Sequence, residues 1–193
     1  TAKTPDLMLG MGFDVHLWVR PGEAREYAEH HPECVIHVLP HRIRNLRDTR
    51  RFMMEMIDER LWCMMDDDIW RFSFKPDATK MGGLRRATTS EVLRVFAHMN
   101  RSSCKSVLFA GSIPDRFRVA RPYPRRYMSY GFMRQCIFIS RRIAQHANFR
   151  LRIFMDIDFS LQVAKAGAAM QIARCLCIES RQSCDGGLGK ERE

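Results

Sequence analysis

Three adjacent aspartates, Asp66, Asp67 and Asp68, follow directly on the apolar run Leu61-Trp62-Cys63-Met64-Met65. The run reads as a buried strand, so the fold must bring a strand from its interior to an end that tolerates three like charges. Carboxylates this close repel and raise one another's pKa. A divalent cation relieves that repulsion, and hard oxygen ligands suit magnesium and manganese. In open α/β sheets, ligands bind beyond the carboxyl ends of the strands. The segment therefore points to a metal-dependent site for a phosphate-bearing substrate. Acids here could also start a helix, where negative charge is favourable, or occupy a solvated loop. The neighbours Trp62, Met65, Ile69, Trp70 and Phe72 argue against an open polar loop.

The pattern on either side predicts an α/β chain. Residues 4–10 read as the end of a helix stopped near Gly10 and Gly12, and Val15 to Val19 as a short buried strand. Pro21 and Gly22 open a helix through about His30, with proline at an early helical position. Cys34 to Leu39 reads as a second strand stopped by Pro40, Ile43 to about Glu59 as a long helix, and Leu61 to Met65 as a third strand. Strands alternating with helices predict a mainly parallel sheet. Residues 70–87 read as a loop, and Thr88-Thr89-Ser90-Glu91 as the capped start of a helix to about Asn100. Lys105 to Ala110 and Gln135 to Ser140 are strand candidates. Asp156 to Ala166 is a helix ending at Gly167, and Ala168 to Ala173 a last strand.

At 193 residues and 46% hydrophobic content, the chain suits one domain with a proper core. That domain is expected to span residues 1–180, with 181–193 a polar, mobile tail. No apolar run approaches the ~20 residues of a membrane span, and no signal-peptide pattern is visible. The expectation is a cytoplasmic protein with no membrane partner. The abrupt opening at Thr1 suggests a missing N-terminal strand. The seven cysteines form no Cys-x-x-Cys pair, which favours a reducing compartment and no zinc site.

The formal net charge is +10, and it is concentrated. Residues 101–152 hold twelve Lys or Arg against one acid, Asp115, while the rest of the chain sums to −1. A polyanionic partner follows from that distribution. Within it, Arg116, Arg118, Arg121, Tyr123, Arg125, Arg126 and Tyr127 interleave cations with rings. Arginines bind phosphates and rings stack on exposed bases, so these seven are the candidate nucleic-acid contacts. A solvated arginine-rich loop over packed tyrosines is the plainer alternative.

A second acidic element, Phe154-Met155-Asp156-Ile157-Asp158-Phe159, opens the helix that ends at Gly167. Simple N-terminal capping would explain the acids. A carboxylate there could also face the cleft of the triplet. The two acidic elements together, some ninety residues apart, resemble the GT-A glycosyltransferases. The residues that carry the resemblance are Asn45, Arg47 and Arg50 on the helix before the triplet, Met65 to Ile69, and Met155 to Phe159 through Gly167. Within that superfamily the chain is most similar to the phage and TET-associated enzymes that add sugars to hydroxymethylated pyrimidines in DNA.

The resemblance implies a Rossmann-like, mainly parallel sheet, a nucleotide-sugar donor (a UDP-sugar), and manganese or magnesium. It implies that Asp66 lies near the uridine or ribose, with Asp67 in support, and that Asp68, together with Asp66, holds the metal. Arg47 and Arg50 would face the donor phosphates. Asp156 falls where inverting members keep the base that deprotonates the acceptor hydroxyl. If Asp156 lies too far from the sugar, retention stays open. A bacterial host's cytoplasm would be the setting of a phage-encoded chain. Three alternatives remain: the same fold with a glycan or protein acceptor, a two-metal nuclease or phosphotransferase, and a non-enzymatic nucleic-acid-binding module.

Overall fold

In the first third of the chain helix and strand take turns. A computed structural model describes residues 3–77, 79–102, 106–112, 122, 125–129 and 135–180. Its first elements are α1 (Thr4–Leu9), β1 (His16–Val19), α2 (Ala24–His30), β2 (Val35–Val38), α3 (Leu46–Met56) and β3 (Leu61–Met65). Parallel strands need a crossover, and α2 supplies it for β1 and β2, which pair in parallel from His16↔Val35 to Val19↔Val38. Asn45 caps α3, its side-chain oxygen accepting from the Asp48 amide at 3.0 Å.

Beyond the triplet the order changes. The elements are β4 (Ile69–Phe74), β5 (Arg85–Arg86), α4 (Thr89–Ser102), β6 (Ser106–Ser112), β7 (Tyr127–Ser129), β8 (Cys136–Ser140), α5 (Arg141–Ala144), α6 (Met155–Lys165) and β9 (Ala169–Ser180). The larger sheet runs β3-β8-β6-β9-β4-β5, with β7 also on β9. Among the described residues only β6 and β9 pair in parallel there; the pairs β3–β8, β6–β8, β4–β9, β4–β5 and β7–β9 are all antiparallel. The mainly parallel sheet expected from the sequence is therefore corrected to a mixed one. Alternation with helices is interrupted at β3, which passes to β4 through three residues, too few for a crossover.

Two further strand expectations change. Residues 70–74, expected as part of a loop, belong to β4. Arg71 and Ser73 interrupt its apolar run, yet Ile69, Phe72 and Phe74 are buried. The last strand continues past Ala173 to Ser180, because Cys175, Leu176, Cys177 and Ile178 are buried too. Its first half pairs with β6 and its second with β4, so β9 joins two parts of the sheet.

All five residues of β8 are buried, as expected of a strand covered on both faces. Alternate side chains serve opposite cores. Cys136 and Phe138 join Phe72, Val92, Phe96, Met99 and Leu176 in one. Ile137 and Ile139 join Met54, Met64, Phe149, Met155, Phe159 and Val163 in the other. Among the described residues, β1 pairs only with β2, and β3 only with β8. Between these two edges lies a cavity of about 510 Å³, lined by Leu17, Trp18, Trp62 and Met64 and reaching Asp66 and Asp67. No helix of the described residues is long and apolar enough to cross a membrane. The tail expected at 181–193 lies outside the described residues.

Candidate active site

The three aspartates form the turn between β3 and β4. Two elements hold that turn. The Asp66 amide donates to the Gln135 carbonyl at 3.0 Å, just ahead of β8. On the other side, the buried Thr4 of α1 donates its hydroxyl to the Asp66 carbonyl at 2.8 Å and accepts from the Ile69 amide at 2.9 Å. The Lys3 amide donates to the Asp67 carbonyl at 3.2 Å. Thr4 is a residue that sequence reading missed. Nothing in a threonine ahead of Pro5 signals a partner sixty residues away.

The three carboxylates have different surroundings. Asp66 Oδ1 accepts from Nη2 of the buried Arg50 at 2.5 Å. Asp67 is exposed, and its Oδ2 accepts from the Tyr27 hydroxyl at 3.3 Å. Burial first, and the Asp67 charge second, push the Tyr27 phenol up to about 12. Asp68 has no such help, and its Oδ1 is buried without a hydrogen-bond partner. Burial first, then the charges of Asp66 and Asp67, push its carboxyl up to about 6.

A buried carboxylate oxygen with no donor is costly, and a cation is the simplest partner for it. Among the described residues no group of three or more His, Cys, Asp or Glu could hold a metal ion by itself. Asp66 is turned toward Arg50. That donor set fits magnesium or manganese bound through one or two carboxylates, with phosphate oxygens and water completing the shell. It does not fit an all-protein cage.

Arg50 also links the triplet to the second acidic element. Its Nη1 lies 3.6 Å from the Met155 sulfur, and its guanidinium lies 5.6 Å from the Phe149 ring centre. Met155 is the first residue of α6, and Asp156 the second. Asp156 is partly exposed, and among the described residues its carboxylate has no partner. Asp158 is different: it is buried and accepts from Arg150 and from Gln162 Nε2, the latter at 2.8 Å. The Arg150 hydrogen bond holds its carboxyl below the usual range. Of the two acids of α6, one is locked into the fold and the other is unpaired among the described residues.

The remaining predicted residues scatter. Arg47 bonds its own neighbour, with Nε 2.8 Å from Asp48 Oδ1, and Arg50 is committed to Asp66, so neither points an unengaged guanidinium at a donor. Arg125 and Arg126 are exposed, and Arg126 Nη2 donates to the Pro76 carbonyl at 2.9 Å. Tyr127 is stacked on His98 with ring centres 4.0 Å apart, the packed arrangement rather than a free platform. Arg116, Arg118, Arg121 and Tyr123 lie outside the described residues.

The geometry thus holds an acidic turn able to take a cation, a free carboxylate at a helix start nearby, and one arginine touching both elements. No curated protein matches the chain. The family model of the TET-Associated Glycosyltransferases matches residues 3–183. With nearly its whole length so matched, this chain belongs to the TET-associated glycosyltransferase family.

Proposed function

We propose that the chain moves a sugar from a nucleotide-sugar, a UDP-sugar, to the hydroxymethyl group of a modified pyrimidine in DNA. Membership of the family supports a glycosyltransferase in TET-linked DNA modification. The observation that carries the finer reading is the buried, unpartnered Oδ1 of Asp68 beside two further carboxylates. Asp68 would hold manganese or magnesium, with Asp66 as the second oxygen donor on the same turn. When bound, the metal neutralises the charge that develops on the departing diphosphate.

The chain's own residues do the rest. Arg50 fixes Asp66 and spaces the triplet from α6. Tyr27 restrains Asp67. Asp156 accepts the proton of the acceptor's hydroxymethyl group, a poor nucleophile until a carboxylate takes that proton. The acceptor oxygen then bonds the anomeric carbon as the bond to the diphosphate breaks. UDP leaves with the electron pair, and the anomeric centre inverts. The concentration of arginine in residues 101–152 suits a DNA acceptor more than a neutral glycan.

The test is UDP release from a panel of UDP-sugars with manganese, with and without hydroxymethylated DNA. Release is expected to rise with modified DNA and to fall at least a hundredfold in Asp68→Asn and Asp156→Asn. Release indifferent to both substitutions would overturn the assignment.

A further inference from the structure

Phe154 is the only non-glycine among the described residues with a positive φ, at +58° with ψ +27°. That left-handed conformation is unfavourable for a residue with a Cβ. It also stands at the N-cap of α6 and makes no side-chain cap there, where Ser, Asp, Asn or Gly would serve better. Burial does not offset either cost, because Phe154 is 65% exposed. A strained backbone carrying an uncovered aromatic ring suggests a function outside the fold.

The position indicates what covers the ring. Met155 is tied to the triplet through Arg50, and the exposed Phe154 immediately precedes it, two residues before the free carboxylate Asp156. Cα atoms two residues apart are at most about 7 Å from one another. A base that takes a proton from the acceptor must come within roughly 3 Å of its oxygen. In a 5-hydroxymethylpyrimidine that oxygen is one carbon from the flat ring. An acceptor base served by Asp156 would lie at the same end of α6 as the exposed Phe154 ring. Leu151 and Ile153 extend the apolar patch, at 48% and 38% exposed, and Arg152 is exposed beside them. The exposed segment thus combines apolar side chains, an aromatic ring and a cation, the residue types of stacking sites for unpaired bases.

We infer that the Phe154 ring is the stacking surface for the acceptor pyrimidine, held out of the DNA stack, and so sets acceptor specificity. The inference rests on the DNA-acceptor reading above. An enzyme acting on a base inside a duplex must extrude it, and an exposed ring receives it.

The experiment measures transfer kinetics on an oligonucleotide with one 5-hydroxymethylpyrimidine, in cytosine and uracil forms, alongside UDP release with no acceptor. Phe154→Ala and Phe154→Gly are both expected to raise KM for the oligonucleotide about tenfold or more, leaving acceptor-free UDP release unchanged. Phe154→Trp should stay within about twofold of the parent. Phe154→Gly accepts the positive φ without strain, so its thermal midpoint should not fall. A loss of transfer in that variant then reports the ring and not the backbone. Unchanged KM in the alanine and glycine variants would overturn the assignment, as would equal losses of acceptor-free release. If the parent chain releases UDP but modifies no DNA, the acceptor reading falls, and the role of Phe154 with it.

Discussion

Asp68 is placed where its charge is hardest to hold. Its carboxyl sits near 6 rather than at the ordinary 3.8, chiefly through burial and secondly through Asp66 and Asp67. A folded pKa raised above the unfolded value favours the protonated form in the folded chain. The stability from this group is fully present below about 3.8 and is lost as pH rises through about 6. Without metal at pH 7.5, Asp68→Asn should therefore stabilise the chain, by about 1–2 kcal/mol once solvent screening is allowed for. The gain should vanish near pH 4. Urea unfolding of both chains at the two pH values checks this. A destabilising substitution at pH 7.5 would show that the carboxylate already has a favourable partner. Asp66, by contrast, accepts from the Arg50 guanidinium at 2.5 Å.

At the scale of elements, local signals were legible and distant partners were not. The start of α4 is an example. Thr88 and Glu91 form the expected capping box, the Thr88 amide donating to Glu91 Oε2 at 3.0 Å and the Glu91 amide to Thr88 Oγ1 at 3.3 Å. Arg85 of β5 adds an ion pair that no local pattern announces. Arg85 first, and the Thr88 amide second, hold the Glu91 carboxyl at about 2. A depressed carboxylate contributes stability above its ordinary value of 4.5 and loses it as pH falls toward 2. Glu91→Gln should lower the thermal midpoint by a few degrees at pH 7 and converge with the parent chain near pH 2. A constant difference across that range would contradict the pairing. By contrast, β4 was missed because Trp70 and Arg71 stack on each other at its exposed surface, 4.2 Å from guanidinium to ring. They dilute the apolar pattern that would have marked a strand.

For the whole molecule, the α/β class and the acidic turn at a strand end were readable because each rests on contiguous residues. Strand direction was not. Whether β8 runs with or against β3 depends on pairing between residues more than seventy positions apart, such as Met65↔Cys136. The candidate site divides the same way. The triplet and Asp156 stand out as charges at element ends, while Thr4, Tyr27 and the true partner of Arg50 emerge only from the fold. The sequence pattern points Arg50 at the donor phosphates. In the fold it is the residue through which the two acidic elements meet, because a guanidinium buried this deeply needs a carboxylate.

The most direct test of the central claim is mass spectrometry of nucleosides digested from hydroxymethylated DNA after incubation with the chain, manganese and a mixture of UDP-sugars. The account predicts a hydroxymethylpyrimidine nucleoside heavier by one sugar, absent when Asp68→Asn or Asp156→Asn replaces the parent chain. Unmodified nucleosides from a folded, DNA-binding chain that consumes donor, or sugar transfer that survives both substitutions, would contradict it.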